Sequence, residues 1–339
     1  MPGTTRTRRV TRSDVARYAG VSTAVVSYVV NNGPRPVAAA TAARVRDAVE
    51  VLQYRPNLSA RALRSGTTHT LGLIVADSLN PHCAELTLAV AEAAAATDHR
   101  VLVADSRGDE RRGRALIEDL LARQVDGLLF AGTFVRQDPL AEVRNFGVPV
   151  ILLDCTGPVP GRTTVGPAAR QGAEQLVDHL VGTHGRRSIA LLIGTGGFGD
   201  PDPREQGWRA ALHRLGLPAG PVLRTGWGRE DGYRTGRALL DADPRPDAVV
   251  AASDQLAFGL LRALHEAGVA VPADVAVVSF DGSLASEFAW PPLTCARQPR
   301  AAMGRAVLDL IEDPGLAPGH HEFPLDLIVR ASCGCPPAH

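Results

Sequence analysis

Polar side chains stand just after several apolar runs of this chain, and their types suit a hydroxylated small molecule. Asn80-Pro81-His82-Cys83 follows the run at 70–75, and Asp105-Ser106-Arg107 follows 100–104. Asp154 follows 148–153, Ser253-Asp254 follows 248–252, and Asp281 follows 275–280. Ionised carboxylates accept hydrogen bonds and guanidinium groups donate them, so such a set can hold several hydroxyls of a polyol. Catalysis has less to work with. The chain has no G-x-S-x-G, no H-E-x-x-H and no phosphate-cradling P-loop. His320-His321 lacks further ligands at a metal spacing. Gly194-Thr195-Gly196-Gly197-Phe198-Gly199 matches a dinucleotide fingerprint, but Asp200-Pro201-Asp202-Pro203 follows. Those prolines block the helix that must open at once beneath a pyrophosphate. No catalytic site, cofactor or metal is expected.

These side chains converge only if the apolar runs are parallel strands. Seven runs, at 70–75, 100–104, 127–131, 148–153, 188–193, 248–252 and 275–280, are separated by helical patterns at 85–97, 111–123, 168–182, 207–215, 231–240 and 255–267. Strand–helix alternation predicts parallel sheets covered on both faces. Seven units exceed one ordinary sheet, so two doubly wound α/β subdomains are expected. Ligands of such sheets bind beyond the carboxyl ends of the strands, which here would open onto a cleft. Two of the acids have a plainer alternative: Asp254 as N-cap of the next helix, and Asp281 as cap of a turn before Gly282.

A different chemistry is written into residues 10–64. Thr11 and Asp14 have the spacing of a capping box, with Thr11 expected to accept from the backbone. Val15, Ala16 and Ala19 then share one face. Gly20 supplies the positive φ of a sharp turn, and Ser22 can cap a second helix with Val25, Val26 and Val29 inward. A third helical pattern at 39–52 puts Val45, Val49 and Leu52 inward; it starts at Ala38, which offers no capping oxygen. Two short helices crossing at small alanines make a helix-turn-helix, which presents its second helix to the DNA major groove. Residues 1–64 hold 11 Arg against 3 acids, whereas the rest holds 25 Arg against 33 acids. A basic head on an acidic body is the footprint of phosphate binding.

Residues 10–64 resemble the DNA-binding domain of the lactose-repressor (LacI) family of bacterial transcription regulators. The resemblance is carried by Val10-Thr11, Asp14-Val15-Ala16, Ala19-Gly20-Val21-Ser22, Val26-Ser27, Val29-Val30-Asn31, Tyr54-Arg55-Pro56-Asn57 and Ala60-Arg61-x-Leu63. Residues 68–330 resemble the periplasmic-binding-protein-like core of the same family. The resemblance implies a homodimeric repressor on a pseudo-palindromic operator in double-stranded DNA, with a small-molecule effector tuning affinity. Thr23, Ala24 and Tyr28 would face bases and Ser27 a phosphate, with Thr11, Ser22, Asn31, Asn57 and Arg61 also on DNA. Tyr28 stands where the family commonly has Arg, so a different half-site base is expected. Leu63 would wedge into the minor groove from a hinge helix that folds on DNA. Arg204 falls where the family places a ligand-gripping Arg, and Trp227 where many members stack an aromatic on the ligand, with core packing as its alternative. His82 replaces a usual aromatic. Together with Asp105, Arg107, Asp154, Ser253, Asp254 and Asp281, these suggest a saccharide-like effector, and His82 leaves room for a smaller, more polar or anionic one.

The implied organisation is a disordered basic tail at 1–9, a helix-turn-helix domain at 10–55, a hinge at 56–67, a core at 68–330 and a tail at 331–339. Within the core, 68–165 plus 297–330 would form one subdomain and 166–293 the other. An apolar content of 45% supports sizeable cores. The basic N-terminus is not followed by an apolar stretch, and no run is long enough to span a membrane, so a cytoplasmic protein is expected. That opposes a secreted solute-binding protein, and the missing acid–base pair opposes a sugar-processing enzyme with a DNA head. Five scattered cysteines oppose a disulfide framework. Cys333-Gly334-Cys335 is too tight for a usual metal knuckle and reads as free thiols. The tail has no heptad pattern, which favours a dimer over a coiled-coil tetramer.

Overall fold

A computed structural model describes residues 10–31, 33, 35–55, 66–132, 147–196, 201–312 and 318–336. The basic tail 1–9 and the hinge residues Asn57, Arg61 and Leu63 lie outside them. The chain divides into two compact units, Met1–Thr68 and His69–His339.

The first unit holds α1 (Arg12–Ala19), α2 (Thr23–Val30) and α3 (Ala39–Val51). Val15, Ala16, Ala19, Val26, Val45 and Ala48 form its core. Gly20, at φ 63°, ends α1, and the Val21 amide reaches back to the Ala16 carbonyl at 3.0 Å. The capping box expected of Thr11 and Asp14 is present at the start of α1. The Thr11 hydroxyl donates to Asp14 Oδ2 at 2.7 Å and the Thr11 amide donates to the same oxygen at 2.9 Å. The Asp14 carboxylate is a charged acceptor and also holds Arg17. Ser22 caps α2, accepting from Val25 N at 3.3 Å. Ala38 gives α3 no side-chain cap.

The second unit contains two six-stranded sheets. In the first the order is β11-β5-β4-β3-β1-β2, where β1 is Thr70–Val75, β2 Arg100–Asp105, β3 Gly127–Ala131, β4 Val150–Leu153, β5 Thr163–Pro167 and β11 His320–Phe323. All its pairings are parallel. The second has the order β12-β10-β9-β8-β6-β7, with β6 Ile189–Gly194, β7 Val222–Thr225, β8 Ala248–Ala251, β9 Ala276–Asp281, β10 Thr294–Arg297 and β12 Asp326–Ile328. Only β12 runs antiparallel, at one edge. Central strands β3, β6, β8 and β9 are buried along their whole length, as strands covered on both faces must be.

Helices follow the strands as the alternation requires: α4 (Pro81–Ala96), α5 (Glu110–Ala122), α6 (Ala169–His184), α7 (Pro203–Arg214), α8 (Arg229–Leu239) and α9 (Asp254–Glu266). Asn80 caps α4 through the His82 amide, and Pro81 starts it, where a missing N–H costs nothing. A four-residue turn of helix, α10 (Leu284–Glu287), and α11 (Arg300–Glu312) complete the set.

The chain crosses between the sheets after β5, after β10 and between β11 and β12. The segment 297–330, expected with the first subdomain, is divided between the two. Its α11 packs on α4 and its β11 joins the first sheet, but β12 pairs with β10 (Cys295 opposite Ile328). Nor is 331–336 a loose tail. Residues Ala331–Cys333 make a 3₁₀ turn, and the buried Ser332 hydroxyl donates to the Val277 carbonyl at 2.6 Å and accepts from the Thr294 amide at 2.8 Å. Buried backbone groups where strand pairing ends need such partners, and this turn supplies them.

Candidate functional site

Two surfaces carry the side chains singled out above. On the head, Thr11, Ser22, Thr23, Ala24 and Asn31 are exposed, and Ser27 and Tyr28 are half-buried. Thr23 and Ala24 occupy the first turn of α2, beside its outward amides. Asn31 Nδ2 donates to both the carbonyl and the hydroxyl of Ser27 at 3.0 and 3.1 Å, which fixes two polar groups on one face. Tyr28 is braced from behind. The Gly33 amide donates to its carbonyl at 2.9 Å, and a Cβ on Gly33 would lie 2.7 Å from the ring.

In the core, a cavity of 170 Å³ opens beyond the carboxyl ends of both sheets. Asp77 follows β1, Gly132 follows β3, Asp154 follows β4, Trp227 follows β7, Ser253 follows β8, Asp281 ends β9 and Gln298 follows β10, and all of them line it. Asp154 and Asp281 adopt left-handed backbone, φ 63° and 85°, at their strand ends. Non-glycine residues seldom do so, and such strain is held where the surroundings over-determine it.

His82, in the first turn of α4, is buried with Nε2 3.1 Å from Asp154 Oδ2. Nε2 is nevertheless without a well-aligned hydrogen bond, so charge rather than direction holds the pair. Burial disfavours the imidazolium, but Asp154 and Asp281 outweigh it and raise the pKa to about 9. Burial likewise opposes ionised Asp154, yet His82 and Arg204 hold its carboxyl below the usual range.

Arg204 is locked. Nε and Nη2 grip Asp202 at 2.9 and 2.8 Å, Nη1 donates to the Ala252 carbonyl at 2.9 Å, and Asp202 itself caps α7. The guanidinium lies 4.7 Å from the centroid of Trp227. The indole is anchored by Nε1 to the Thr195 carbonyl at 3.0 Å and lies over Gly194, where a Cβ would come within 2.2 Å of the ring. One face of the ring therefore already carries a cation.

Three expected residues do not reach the cavity. Asp105 accepts from the amides of Ser78 and Arg107 at 3.1 and 2.7 Å and from the Ser78 hydroxyl, tying two loops together. Asp105 ends β2 and the exposed Arg107 follows it, and neither lines the cavity. Asp254 is buried under Ser279 Oγ, Ser283 N and Ser283 Oγ, each at 2.7 Å. Burial and Asp281 push its pKa up to about 6. Ser253, not Asp254, caps α9. Asp281 accepts from the Asp254 amide and from Gln298 Nε2, so it serves both as a local cap and as a cavity wall.

Asp77, Thr156, Phe280 and Gln298 also line the cavity and were not singled out, and Cys83 joins His82 there. Behind it, Arg300 binds Glu85 at 2.6 Å and the carbonyls of Asp281 and Gly282 at 2.8 and 2.9 Å, while the Leu284 amide donates to Glu85. This network joins α4 and α11 of the first subdomain to the end of β9 in the second.

Comparison with known proteins agrees with this architecture. Residues 11–57 match the family described as bacterial regulatory proteins, lacI family, and residues 177–333 match the periplasmic binding protein-like domain. The ribose operon repressor of Escherichia coli (strain K12) is 33% identical over 306 residues, covering 89% of this chain and 92% of that protein. The HTH-type transcriptional repressor PurR of Glaesserella parasuis serovar 5 is 30% identical over 339 residues, covering 95% and 98%. Among solved structures, the lac repressor dimer bound to operator and the anti-inducer ONPF superposes with a TM-score of 0.85 at 28% identity, covering 96% of this chain and 99% of that one.

Proposed function

The chain belongs to the lacI family of bacterial regulatory proteins, and on that premise we propose that it is a repressor whose grip on an operator answers to a small polyhydroxylated effector. A homodimer sets two heads on the half-sites of a pseudo-palindrome. Thr23, Ala24 and Tyr28 read base edges, while Thr11, Ser22, Ser27, Asn31 and the head's arginines hold phosphates and set register. Asn57, Arg61 and Leu63 act from the neck, with Leu63 as the minor-groove wedge.

The observation that carries the effector reading is the cavity wall. His82 and Arg204 bring two cations, and Asp77, Asp154 and Asp281 bring three carboxylates. Such a wall has no positive excess with which to hold an anion. It offers charged acceptors and donors side by side, which suits hydroxyls that both donate and accept. One lining atom, Gln298 Oε1, is buried without a hydrogen-bonding partner in the protein, and His82 Nε2 meets Asp154 only as a poorly aligned ion pair. Leaving such atoms unpaired costs ~1–3 kcal/mol each, which a hydroxylated ligand can recover. At 170 Å³ the space is below the ~300–1,000 Å³ of pockets for drug-sized ligands, so a monosaccharide-sized molecule is favoured over a larger one.

Effector binding shifts the balance between two arrangements of the lobes, and through the paired necks it changes operator affinity. Catalysis has no part in this. The cavity's thiol, Cys83, is pushed far up in pKa by burial and so stays neutral. No helix among the described residues is long and apolar enough to cross a membrane, and we place the protein in the cytoplasm, with its operator.

The test is a DNA-shift titration with palindromic fragments from the gene's own upstream region, in the presence of monosaccharides and their acid derivatives. A neutral sugar that changes operator affinity is the expected result. Response only to an anionic ligand would refute the charge argument, and indifference to DNA at low salt would refute the reading as a whole. Leu63→Ala is expected to weaken specific binding far more than non-specific binding.

A further inference from the structure

Two histidines and two cysteines that play no part in either surface meet at the far end of α6. His179 and His184 lie in its last turns, and Cys333 and Cys335 flank the turn that ends the second sheet. Nε2 of His179 is 3.3 Å from Cys333 Sγ and 3.7 Å from Cys335 Sγ, and Nε2 of His184 is 3.3 Å from Cys335 Sγ. All four potential ligand atoms lie within 4.8 Å of one another. We propose that His179, His184, Cys333 and Cys335 form a four-ligand site for a zinc-class divalent ion, which staples the end of the chain to α6.

The three sulfur–nitrogen distances are close to those of a tetrahedral site. Zn–S bonds of about 2.3 Å and Zn–N bonds of about 2.0–2.1 Å at tetrahedral angles set sulfur and nitrogen ligands about 3.5 Å apart. Soft thiolates with imidazoles select zinc over magnesium or calcium. Charge favours the same occupant. Two thiolates packed together at a site where Cys333 is fully buried repel one another, and a dication makes the set neutral.

The surroundings prepare the ligands. Thr183 Oγ1 lies 3.4 Å from Nδ1 of His179, where it can take that N–H and leave the Nε2 lone pair for the metal. Thr294 Oγ1 lies 2.9 Å from the Arg330 carbonyl and 3.1 Å from Cys333 Sγ, so its one hydrogen can turn to the sulfur once that is a thiolate. Gly334 turns the chain at φ 114°, a conformation L side chains rarely adopt, and brings both sulfurs to one side. A Cβ there would also press to 3.1 Å of the His184 ring. Four protein ligands leave no open position, so the site is structural rather than catalytic. It is remote from the effector cavity. Ala169 lines that cavity at the start of α6, and His179 lies ten residues along, about 15 Å at 1.5 Å per residue. The inference therefore stands apart from the regulatory reading.

The full chain, kept reduced and equilibrated with Zn²⁺ before gel filtration, should carry one equivalent of zinc by mass spectrometry. Replacing it by Co²⁺ should give the intense visible bands of a tetrahedral ion and a thiolate-to-metal band in the near ultraviolet. Cys335→Ser and His184→Gln should each abolish stoichiometric binding, while His265→Gln, an exposed histidine elsewhere, should keep it. Chelation should lower the wild-type melting temperature and leave that of Cys335→Ser unchanged. Metal well below one equivalent, octahedral cobalt bands, zinc retained by Cys335→Ser, or a Cys333–Cys335 disulfide persisting in reductant would each overturn the proposal. If a variant fails to fold, the zinc count and cobalt spectrum of the wild type decide.

Discussion

Replacing His82 by glutamine should erase a specific pH dependence of stability. In the folded protein the imidazole is buried, which opposes its charge, yet Asp154 and Asp281 raise its pKa from 6.5 to about 9. A raised folded-state value means that the stabilisation is fully present below the unfolded pKa and is lost as the pH climbs through about 9. Each pKa unit is worth about 1.4 kcal/mol, so the span amounts to about 3 kcal/mol. For a domain of this size about 1 kcal/mol moves the melting temperature by roughly 2–4 °C, so the wild type should lose roughly 6–12 °C from this group. The assay is thermal unfolding of the full chain without effector, at intervals from about pH 6 to about pH 10, for the wild type and His82→Gln. Other titrating groups are common to both proteins, so the difference between the curves isolates His82. Glutamine can still donate to Asp154, but it carries no proton to lose. A difference that stays flat, or that grows as the pH rises, would show that the imidazole is neutral in the folded state and that the charge balance drawn for the cavity is wrong.

Gly194→Ala should drive Trp227 off its seat, because the new methyl would lie 2.2 Å from the indole. Effector affinity measured by calorimetry should fall by tenfold or more, about 1.4 kcal/mol, with operator binding in the absence of effector unchanged. Asp202→Asn leaves the buried Arg204 guanidinium without its bidentate partner, which should cost ~3–5 kcal/mol in denaturant unfolding. A loss below ~1 kcal/mol would place Arg204 in solvent instead. Tyr28→Arg should shift the preferred half-site base toward guanine in a site-selection experiment, since arginine pairs with guanine through two hydrogen bonds and tyrosine cannot. An unchanged motif would remove Tyr28 from the reading set.

The strand–helix alternation, and with it the two-sheet α/β class, was legible because buried parallel strands are written as uninterrupted apolar runs. Of the residues after those runs, Asp154, Ser253 and Asp281 line the cavity. Asp105 and Arg107 obey the same rule at the end of β2 but do not line the cavity; Asp105 is taken up by Ser78 and the Arg107 amide, a tie between loops that no local stretch shows. Asp254 and Asp281 look alike in sequence. Only the left-handed backbone of Asp281 and the serines that enclose Asp254 separate them. Asp77 was within reach of the same rule, two residues past β1, whereas Gln298 required β10 to be recognised first. The capping box of Thr11 and Asp14 was legible from spacing, because both partners lie within one turn of chain. The grouping of His179 and His184 with Cys333 and Cys335 was invisible, since about 150 residues of chain separate the pairs and only the last crossing between sheets brings them together.

That last crossing has its own consequence. Two residues, Pro324 and Leu325, separate a strand of one lobe from a strand of the other. Neither lobe is a contiguous piece of polypeptide, so no single cut yields one of them whole. Three straps, one very short, bind the lobes like a book's spine, allowing rotation while forbidding separation. During synthesis both sheets wait for the same final stretch: a ribosome that stalls before β11 and β12 emerge leaves two unfinished lobes with exposed strand edges, rather than one finished and one missing.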